Sequence, residues 1–363
     1  MMKRSCLSLL RLSWSPNLAH WAGNTWYGWL IILSLGLWFG NIPLGIGAEP
    51  QESPSSVSSG MTWTVASDGS GQFQSIQEAV NYAQAGDTIV VKAGRYPEDI
   101  TIHGKERLKI IGEGMDRVIV VGQRRVGTLH IGKWPYGVTR IEIHGMTIQQ
   151  HGGLGLGIFN GGNIVLKQVR VQGMLFAQQV QHVRLESCVI GESETTGVAF
   201  ADSTATVIGS FVHDNDHGVS IAGRSRVVLE RNVVTRNLFE AVLVSDRAHA
   251  VLRQNTLVNN GGGVSFQEGT TGELYGNIIG NTQVGIKIAS NVKVIGAYNA
   301  VFDNVRDYHI ASSAPESGML HTMVHRFPRF VDPQHGDYRL KPDSPLIGVG
   351  DYAYLGALPP IEE

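Results

Sequence analysis

The sequence has little charge, and this shortage already limits what the chain can be. Only 17% of its 363 residues are Asp, Glu, Lys or Arg, and the formal net charge is −2. A disordered chain needs low hydrophobicity with high net charge, whereas this one is 42% hydrophobic. A nucleic-acid-binding protein needs a basic surface, so nucleic acid is not expected as a partner.

Cysteine is nearly absent, with two residues in the whole chain. Cys6 lies in a segment that we predict to be a targeting sequence, which leaves Cys188 without a partner for an intrachain disulfide. The fold must therefore be stabilised by packing and hydrogen bonds. The histidines also lack the tight spacing of a zinc motif, so no metal is predicted from them.

The N-terminal segment has the pattern of a targeting sequence. No Asp, Glu, Lys or Arg occurs after Arg11 until Glu49, and residues 29–39 (WLIILSLGLWF) form a compact apolar run. We predict that residues 1–48 are a signal peptide or a membrane anchor. The remainder would then be exported to an extracellular, periplasmic or cell-surface location, with a membrane contact only if the segment stays uncleaved.

Residues 49–61 are rich in Pro and Ser and are predicted to be a linker. The chain then shows one helical pattern, between Ser75 and Gly86. Ser75 and Glu78 have the spacing of a capping box, and Gly86 is a helix-ending residue. After this helix, short apolar runs bounded by glycine predict strands.

Polar and small residues recur at a nearly constant interval of 21 to 23 residues. The three series are Asn232, Asn255, Asn277 and Asn299; Asn215, Asn237, Asn260, Asn281 and Asn304; and Gly197, Gly218, Ala241, Gly263 and Gly285. Such a period is typical of a solenoid, and the regular leucines of leucine-rich repeats are missing. The sequence therefore predicts an all-β parallel β-helix of about ten turns, with the helix as its N-terminal cap.

This repeat divides the chain into regions. Residues 62–140 are predicted to form the cap and first turns, and residues 141–312 the repeats of about 22 residues. Residues 330–340 break the repeat, so residues 313–363 are predicted to be a C-terminal closure that protects the open end of the solenoid.

Residues one turn apart in such a coil lie about 4.8 Å apart along its axis. His217 and Glu240 take equivalent positions on consecutive turns, and a carboxylate beside an imidazole can orient it for acid/base work. At the other edge of the strand, Asp246 and Glu268 share a column. Their spacing suits the carboxylate pair of a retaining glycosidase or a Ca²⁺ site. We predict these four residues to be catalytic, with Ca²⁺ as a possible cofactor.

Four further residues border the same face. Arg224 and Arg247 could bind the carboxylates of acidic sugars through paired N–H groups, and Gln267 and Lys287 would lie beside them. The structural alternative is an exposed polar turn and a ladder of surface ion pairs without any ligand.

Part of the chain resembles a known superfamily. The matching segments are residues 68–73 (DGSGQF), 76–80 (IQEAV), 91–98 (VKAGRYPE) and 111–114 (IGEG). They are similar to the opening of pectin methylesterases, within the pectin-lyase-like superfamily of right-handed parallel β-helices. The resemblance implies a right-handed, single-stranded coil. The catalytic sequence motifs of these esterases, Gln-Ala-Val-Ala, Asp-Phe-Ile-Phe-Gly and Gly-Arg-Pro-Trp, are absent. Pectin methylesterase activity is therefore the least favoured function.

A second match is narrower. Residues 216–221 (DHGVSI) are similar to the Gly-His-Gly-x-Ser-Ile segment of polygalacturonases. The motifs that carry the catalytic carboxylates of that family, Asn-Thr-Asp-Gly and Asp-Asp, are missing upstream of this segment. Two functions stay open on the sequence. One is an exported lyase, epimerase or glycosidase acting on acidic polysaccharide, and the other is a non-catalytic carbohydrate-binding or structural module. The oligomeric state is not predicted.

Overall fold

The computed structural model describes residues 60–124, 127–133, 137–312 and 322–362, with only the backbone of His151. The predicted targeting segment and nearly all of the predicted linker lie outside these ranges. Within the described ranges, no helix has the length and apolar character needed to cross a membrane.

The described chain begins with a strand and a short helix. Strand β1 is Thr62–Val65 and helix α1 is Ile76–Tyr82. The Ser75 hydroxyl accepts a hydrogen bond from the backbone N–H of Glu78 at 3.2 Å, as predicted for an N-cap. The Glu98 carboxylate accepts two more N–H groups of the first turn, from Ile76 at 2.8 Å and Gln77 at 2.9 Å. The helix therefore begins where the sequence predicts.

The helix ends four residues before Gly86, so the predicted end is wrong. The Asp87 carboxylate accepts hydrogen bonds from the backbone N–H of Met61 at 2.8 Å and of Gln84 at 2.9 Å. It also accepts one from the indole N–H of Trp63 at 2.8 Å. These bonds draw the chain out of the helix and into the next strand.

The chain then winds into a solenoid. The strands of the first turns are β2 Thr88–Val91, β3 Gly94–Tyr96, β4 Ile100–Ile102, β5 Lys109–Gly112, β6 Val118–Val121 and β7 Leu129–Ile131. One continuous extended segment of 49 residues, β8 Val138–Glu186, follows and pairs with β5, β6 and β7. Left-handed residues such as Gly145, with φ 62°, make the corners within it.

Regular repeats occupy the middle of the chain. Their strands are β9 Val189–Gly191, β10 Thr196–Ala201, β11 Thr204–Ile208, β12 Phe211–His213, β13 His217–Ala222, β14 Arg226–Glu230, β15 Val233–Thr235, β16 Glu240–Val244, β17 His249–Arg253, β18 Thr256–Val258, β19 Gly262–Phe266, β20 Thr271–Tyr275, β21 Ile278–Gly280, β22 Val284–Ile288, β23 Lys293–Ala297, β24 Ala300–Phe302 and β25 Arg306–Ile310. Each strand from β9 to β22 pairs in parallel with the strand three places further on. The result is a right-handed parallel β-solenoid of about 11 turns, which confirms the predicted fold.

Three sheets run along the rod. Sheet 1 contains β10, β13, β16, β19, β22 and β25, sheet 2 contains β11, β14, β17, β20 and β23, and sheet 3 contains β9, β12, β15, β18, β21 and β24. Inward residues in the middle of sheet 1, such as Val219 and Val242, are at most 1% exposed. Cys188 lies in the same core as a free thiol, and burial raises its pKa to about 11.

Buried asparagines join the turns at two corners. Between sheets 2 and 3, the Asn255 side-chain oxygen accepts hydrogen bonds from the backbone and side-chain N–H groups of Asn232, both at 3.0 Å. Between sheets 3 and 1, the Asn260 side-chain oxygen accepts hydrogen bonds from the backbone N–H of Asn237 at 3.0 Å and from its side-chain N–H at 2.8 Å. These bonds satisfy backbone groups that the corners remove from the strands.

The predicted continuation of the second series through Asn281 is wrong. Asn281 is exposed and donates to the Asn259 side chain at 2.6 Å. Thr282 takes the buried position, and its N–H donates to Asn304 at 3.2 Å. The buried corner position on this turn lies 22 residues after Asn260. It is therefore occupied by Thr282, the residue after Asn281.

Most of the C-terminal segment lies beside the solenoid, whereas Val324 forms a parallel bridge with Ala300 and Met323 packs against the core of the coil. The segment contains β26 Phe330–Asp332, a 3-10 helix Pro333–His335, β27 Asp337–Leu340, β28 Ile347–Val349 and β29 Tyr352–Tyr354, paired as two antiparallel hairpins. Leu346 and Leu355 are fully buried against outward residues of sheet 3, among them Val258 and Ile278. The segment predicted as an end closure thus covers the apolar outer face of sheet 3.

Candidate functional site

The outward face of sheet 1 carries the predicted site. Its middle column follows the strand register through Phe176, Ala199, Ser220, Leu243, Ser265, Lys287 and His309. At the centre of the rod the side chains are small or polar except for Leu243, and they are basic toward its C-terminal end. The C-terminal hairpins cover sheet 3, so among the described residues this face stays open.

His217 and Glu240 meet at the leading edge of this face, as their spacing predicts. Nδ1 of His217 lies 3.3 Å from Oε2 of Glu240, and the two side chains are 25% and 29% exposed. The ring of Phe239 packs against the imidazole with ring centroids 5.1 Å apart. The contact with His217 lowers the pKa of the Glu240 carboxyl below its ordinary value, against burial, which raises it.

This pair holds an unsatisfied polar atom. Nδ1 of His217 is buried and has no hydrogen-bond partner within the described residues, because Glu240 approaches it at ion-pair distance without a well-directed hydrogen bond. Buried polar atoms in native proteins are nearly always paired, so an exception calls for a functional or structural reason.

More carboxylates occupy the corner between sheets 3 and 1. Asp214 accepts two hydrogen bonds from Arg236, at 2.9 and 2.8 Å, and lies 2.6 Å from Nδ1 of His213. The Arg236 contact is the main reason that the pKa of Asp214 is lowered. Asp216 lies half-buried in the same corner, directly before His217. Arg236 is thus already paired with Asp214.

The other predicted catalytic residues lie at the opposite edge of sheet 1. The Asp246 carboxylate accepts a hydrogen bond from the backbone N–H of Gly223 at 3.0 Å, which closes the corner between sheets 1 and 2. Glu268, on the next turn, is exposed. Asp246 follows Glu240 by six residues, or roughly 20 Å of strand. The two edges therefore cannot flank a single glycosidic bond, which needs carboxyl groups within about 10 Å.

The predicted substrate-binding residues border the same face without converging. Arg224 and Arg247 are exposed at the corner between sheets 1 and 2, next to Asp246, while Gln267 is half-buried there. Lys287 is exposed on the face itself, in register with Ser265. Their roles in substrate binding stay predictions.

One feature of this face was missed from the sequence. A cavity of about 560 Å³ lies at the corner before sheet 1 in the earlier turns, lined by Gln149, Gln150, Gly152, Gly153, Gln172, Glu192 and Glu194. The clear asparagine series begin only at Asn215, so the turns that form the cavity could not be aligned. The adjacent left-handed glycines Gly152 and Gly153, with φ 70° and 88°, were the one local signal.

Metal binding has no support in the geometry of the described ranges. Within them, no three His, Cys, Asp or Glu side chains are grouped so as to hold a metal ion. The Asp246 carboxylate, half of the predicted Ca²⁺ pair, is already hydrogen-bonded to the backbone of Gly223. Ca²⁺ stays an untested prediction.

Two family models match this chain. The model of the right-handed β-helix region matches residues 134–304, and the pectinesterase model matches residues 62–135. A "Probable pectinesterase/pectinesterase inhibitor 6" from Arabidopsis thaliana is 44% identical over 69 residues, which is 17% of this chain and 12% of that protein. The match thus spans about an eighth of the curated relative.

Solved structures share the fold at low sequence identity. Pectate lyase Pel9A superposes with a TM-score of 0.52 at 14% identity, covering 84% of this chain and 97% of that one. The A-module of the Azotobacter vinelandii mannuronan C-5 epimerase AlgE4 has a TM-score of 0.46 at 14% identity, covering 67% of this chain and 93% of that one. At this level of identity the likeness shows the fold alone. The predicted resemblance to right-handed parallel β-helices is confirmed.

Proposed function

We propose that this right-handed parallel β-helix binds a polysaccharide along the outward face of sheet 1 and acts on it by acid/base chemistry at His217 and Glu240. The observation that carries the proposal is the His217–Glu240 contact with its buried, unsatisfied Nδ1 at the border of an open face. Glu240 faces Nδ1 and so orients the ring, while the rest of the 25% exposed His217 side chain stays available for proton transfer.

A long sugar chain suits the shape of this face. Its middle column steps by about 4.8 Å per turn from Phe176 to His309, with the half-buried Ser220 supplying a hydroxyl group near the centre. Lys287 and His309 at the C-terminal end could contact acidic groups. Pectate lyase Pel9A, which has the same fold, supports a carbohydrate partner.

The chemistry follows from the environment of the pair. The lowered pKa keeps the Glu240 carboxyl ionised, so its oxygen remains an acceptor that faces Nδ1 and orients the imidazole. His217 then takes a proton from the sugar or returns one to it. Lyases, epimerases and glycosidases all require such a transfer, and Phe239 offers a ring on which the sugar can stack beside it.

Turnover assays on the full chain test this proposal. Pectate, alginate and neutral polymers would be incubated with the protein, with and without Ca²⁺, and unsaturated uronates and reducing ends would be measured. We expect His217→Ala to lower the rate about 10²- to 10⁴-fold, as for loss of a general acid/base. His249→Ala, a half-buried histidine on sheet 2, is the matched control and should keep full activity. Full activity in the His217 variant, or no turnover of any polymer, would reject the proposal.

A non-catalytic carbohydrate-binding or structural module is the second candidate. It is favoured by Asp246, whose carboxylate closes a corner, and by the exposed, separated positions of Glu268, Arg224 and Arg247. In this case polymers would bind without any product. Glycan binding that is unchanged in His217→Ala, with no turnover, would identify this function.

Export from the cytoplasm is part of the same proposal. The apolar run of residues 29–39 after early basic residues supports it, and a polysaccharide partner is consistent with it. Recovery of the protein in the extracellular or periplasmic fraction tests export. An N-terminus near Ala48 would identify a cleaved signal peptide, and an intact N-terminus in the membrane fraction would identify an anchor.

A further inference from the structure

One corner of the solenoid is a residue longer than its neighbours. Leu238 and Phe239 together take the corner place that Asp216 has in the turn before and Gly261 has in the turn after. Their side chains are 64% and 48% exposed. Between helix α1 and strand β23, no other large hydrophobic side chain within the described ranges is exposed. The longer corner therefore brings an aromatic ring to the surface beside the candidate pair.

The longer corner is anchored on both sides. The backbone N–H of Phe239 donates to the carbonyl oxygen of Asp216 at 2.7 Å, and the Phe239 carbonyl oxygen accepts the N–H of Gly262 at 3.1 Å. A Cβ added to Gly261 would lie 2.1 Å from the carbonyl oxygen of Leu238. Glycine at this place lets the next turn lie close to the extra residue. The backbone of Phe239 is thus held by both neighbouring turns.

The Phe239 ring lies against the imidazole of His217. The ring centroids are 5.1 Å apart and the planes are tilted by 33°. This distance lies in the range of favourable ring contacts. Phe239 comes from the turn after His217, so the contact joins the two turns that also supply the candidate pair.

The imidazole needs this contact to keep its orientation. Oε2 of Glu240 lies 3.3 Å from Nδ1 of His217, but no well-directed hydrogen bond joins them. The last side-chain torsion of histidine is broad and roughly two-fold, so a ring without a hydrogen bond turns easily. A neighbouring ring limits the imidazole plane to two orientations, and the Glu240 carboxylate favours the one with Nδ1 toward it.

The orientation decides which ring nitrogen can react. An ionised carboxylate that faces Nδ1 favours the proton on that nitrogen, which leaves the lone pair on Nε2. Nδ1 of His217 is buried, whereas the whole side chain is 25% exposed. The exposed part therefore lies on the remaining atoms of the side chain, which include Nε2.

We propose that Phe239 is a positioning residue, which fixes the ring plane of His217 so that Nδ1 stays toward Glu240 and Nε2 exchanges the proton. This inference rests on the proposed function. The lone pair of Nε2 takes a proton from the sugar or from water, and the electron pair of the broken bond stays on the atom that loses the proton. The imidazolium then returns a proton from Nε2, while Nδ1–H keeps facing Glu240.

Steady-state kinetics of the full chain test the positioning role. With a polymer that the parent turns over, Phe239→Ala should lower kcat about tenfold or more, because a misoriented reacting group is costly. Phe239→Tyr keeps a planar ring and should retain kcat within about twofold. Phe239→Leu keeps apolar volume without the ring and should behave like Phe239→Ala. Equal kcat in the leucine variant and the parent would reduce the role to packing and reject the proposal, as would a rise in KM with kcat unchanged.

The tautomer of His217 is a second measurement that needs no turnover. In protein with ¹⁵N-labelled histidine at about pH 9, where imidazole groups are ordinarily neutral, nitrogen shifts report which ring nitrogen carries the proton. Loss of the signals in His217→Ala assigns them. We expect the Nδ1–H form to predominate in the parent and in Phe239→Tyr. Phe239→Ala should move the proton toward Nε2, because the plane is no longer fixed.

Leu238→Ala is the matched control for both measurements. It removes the other exposed side chain of the same corner and should leave kcat and the tautomer unchanged. Thermal melting would show that each variant is folded. If Phe239→Ala changes neither kcat nor the tautomer, the positioning role is rejected.

The results also separate this role from the acid/base function. A tautomer that depends on Phe239, without turnover of any polymer, would reject the acid/base function and keep the orientation of His217 by Phe239. Turnover that requires His217, with kcat insensitive to Phe239→Ala, would keep the acid/base function and reject the positioning role.

Discussion

At the scale of single residues, His217 and Glu240 are the pair on which the acid/base proposal depends. Both side chains are about one quarter exposed, and the contact lowers the pKa of the Glu240 carboxyl. The ionised carboxylate is therefore favoured in the folded chain. This preference must appear in the pH dependence of folding stability, whatever the substrate is.

We predict that Glu240→Gln changes this pH dependence at acid pH. The folded pKa is below the ordinary value of 4.5, so the stabilisation by Glu240 is fully present above about pH 4.5 and is lost as the pH falls below it. Urea unfolding of both proteins between pH 7 and pH 3 should show a difference in free energy that is constant at higher pH and shrinks below pH 4.5. Glu268→Gln, an exposed glutamate at the other edge of sheet 1, is the control. A difference that grows toward acid pH would contradict the prediction.

At the scale of elements, the buried asparagines hold the corners of the solenoid. Asn255 accepts two hydrogen bonds from Asn232 and donates to the backbone carbonyl of Leu229 at 2.9 Å. Its own backbone N–H donates to Asn277 at 2.9 Å. One side chain thus satisfies groups on two neighbouring turns in a site closed to water.

We predict that Asn255→Ala destabilises the protein by about 3 kcal/mol or more. The substitution leaves the Asn232 donors and the Leu229 carbonyl buried without partners, and each such group costs about 1–3 kcal/mol. The midpoint of urea unfolding is the measurement. Asn281→Gly, at an exposed asparagine whose φ of 52° glycine adopts without strain, should change the free energy of unfolding by less than about 1 kcal/mol. Equal effects in the two variants would show that the stack is not what stabilises the corner.

At the scale of the whole molecule, the C-terminal hairpins join turns that are otherwise linked only to their neighbours. The Tyr338 hydroxyl lies 2.9 Å from that of Thr235, and the N–H of Ala357 donates to Thr256 at 3.0 Å. A solenoid propagates stability from repeat to repeat, so a segment that contacts several turns at once increases cooperativity.

We predict that Leu346→Ala loosens this part of the rod. Leu346 is fully buried between the hairpins and sheet 3, so its truncation should cost about 2–5 kcal/mol. Amide hydrogen exchange should accelerate in β18 and β21 beneath the hairpins, with little change in the first turns. Leu238→Ala, at a leucine that is 64% exposed, is the control. Uniform acceleration along the whole rod would show that the hairpins have no local role.

The constant interval of Asn and Gly determined the coil and the meeting of His217 with Glu240. Hydrogen-bond register along a parallel solenoid turns spacing in the sequence into distance along the axis, so these neighbours can be predicted. The same spacing could not decide between Asn281 and Thr282, because a shift of one residue at a corner leaves the strand pattern unchanged.

The features that lie across the axis of the solenoid could be known only from the folded chain. The docking of Leu346 on sheet 3, the use of Asp246 at a corner, and the cavity beside Gly152 depend on lateral packing between segments of unequal length. A periodic sequence specifies order along one direction, whereas lateral contacts depend on side-chain shape and on where the irregular turns place their loops. For that reason the repeat interval predicted a parallel β-helix and one candidate pair, its right-handedness was implied by the family resemblance, and lateral packing established which surface stayed open to a ligand.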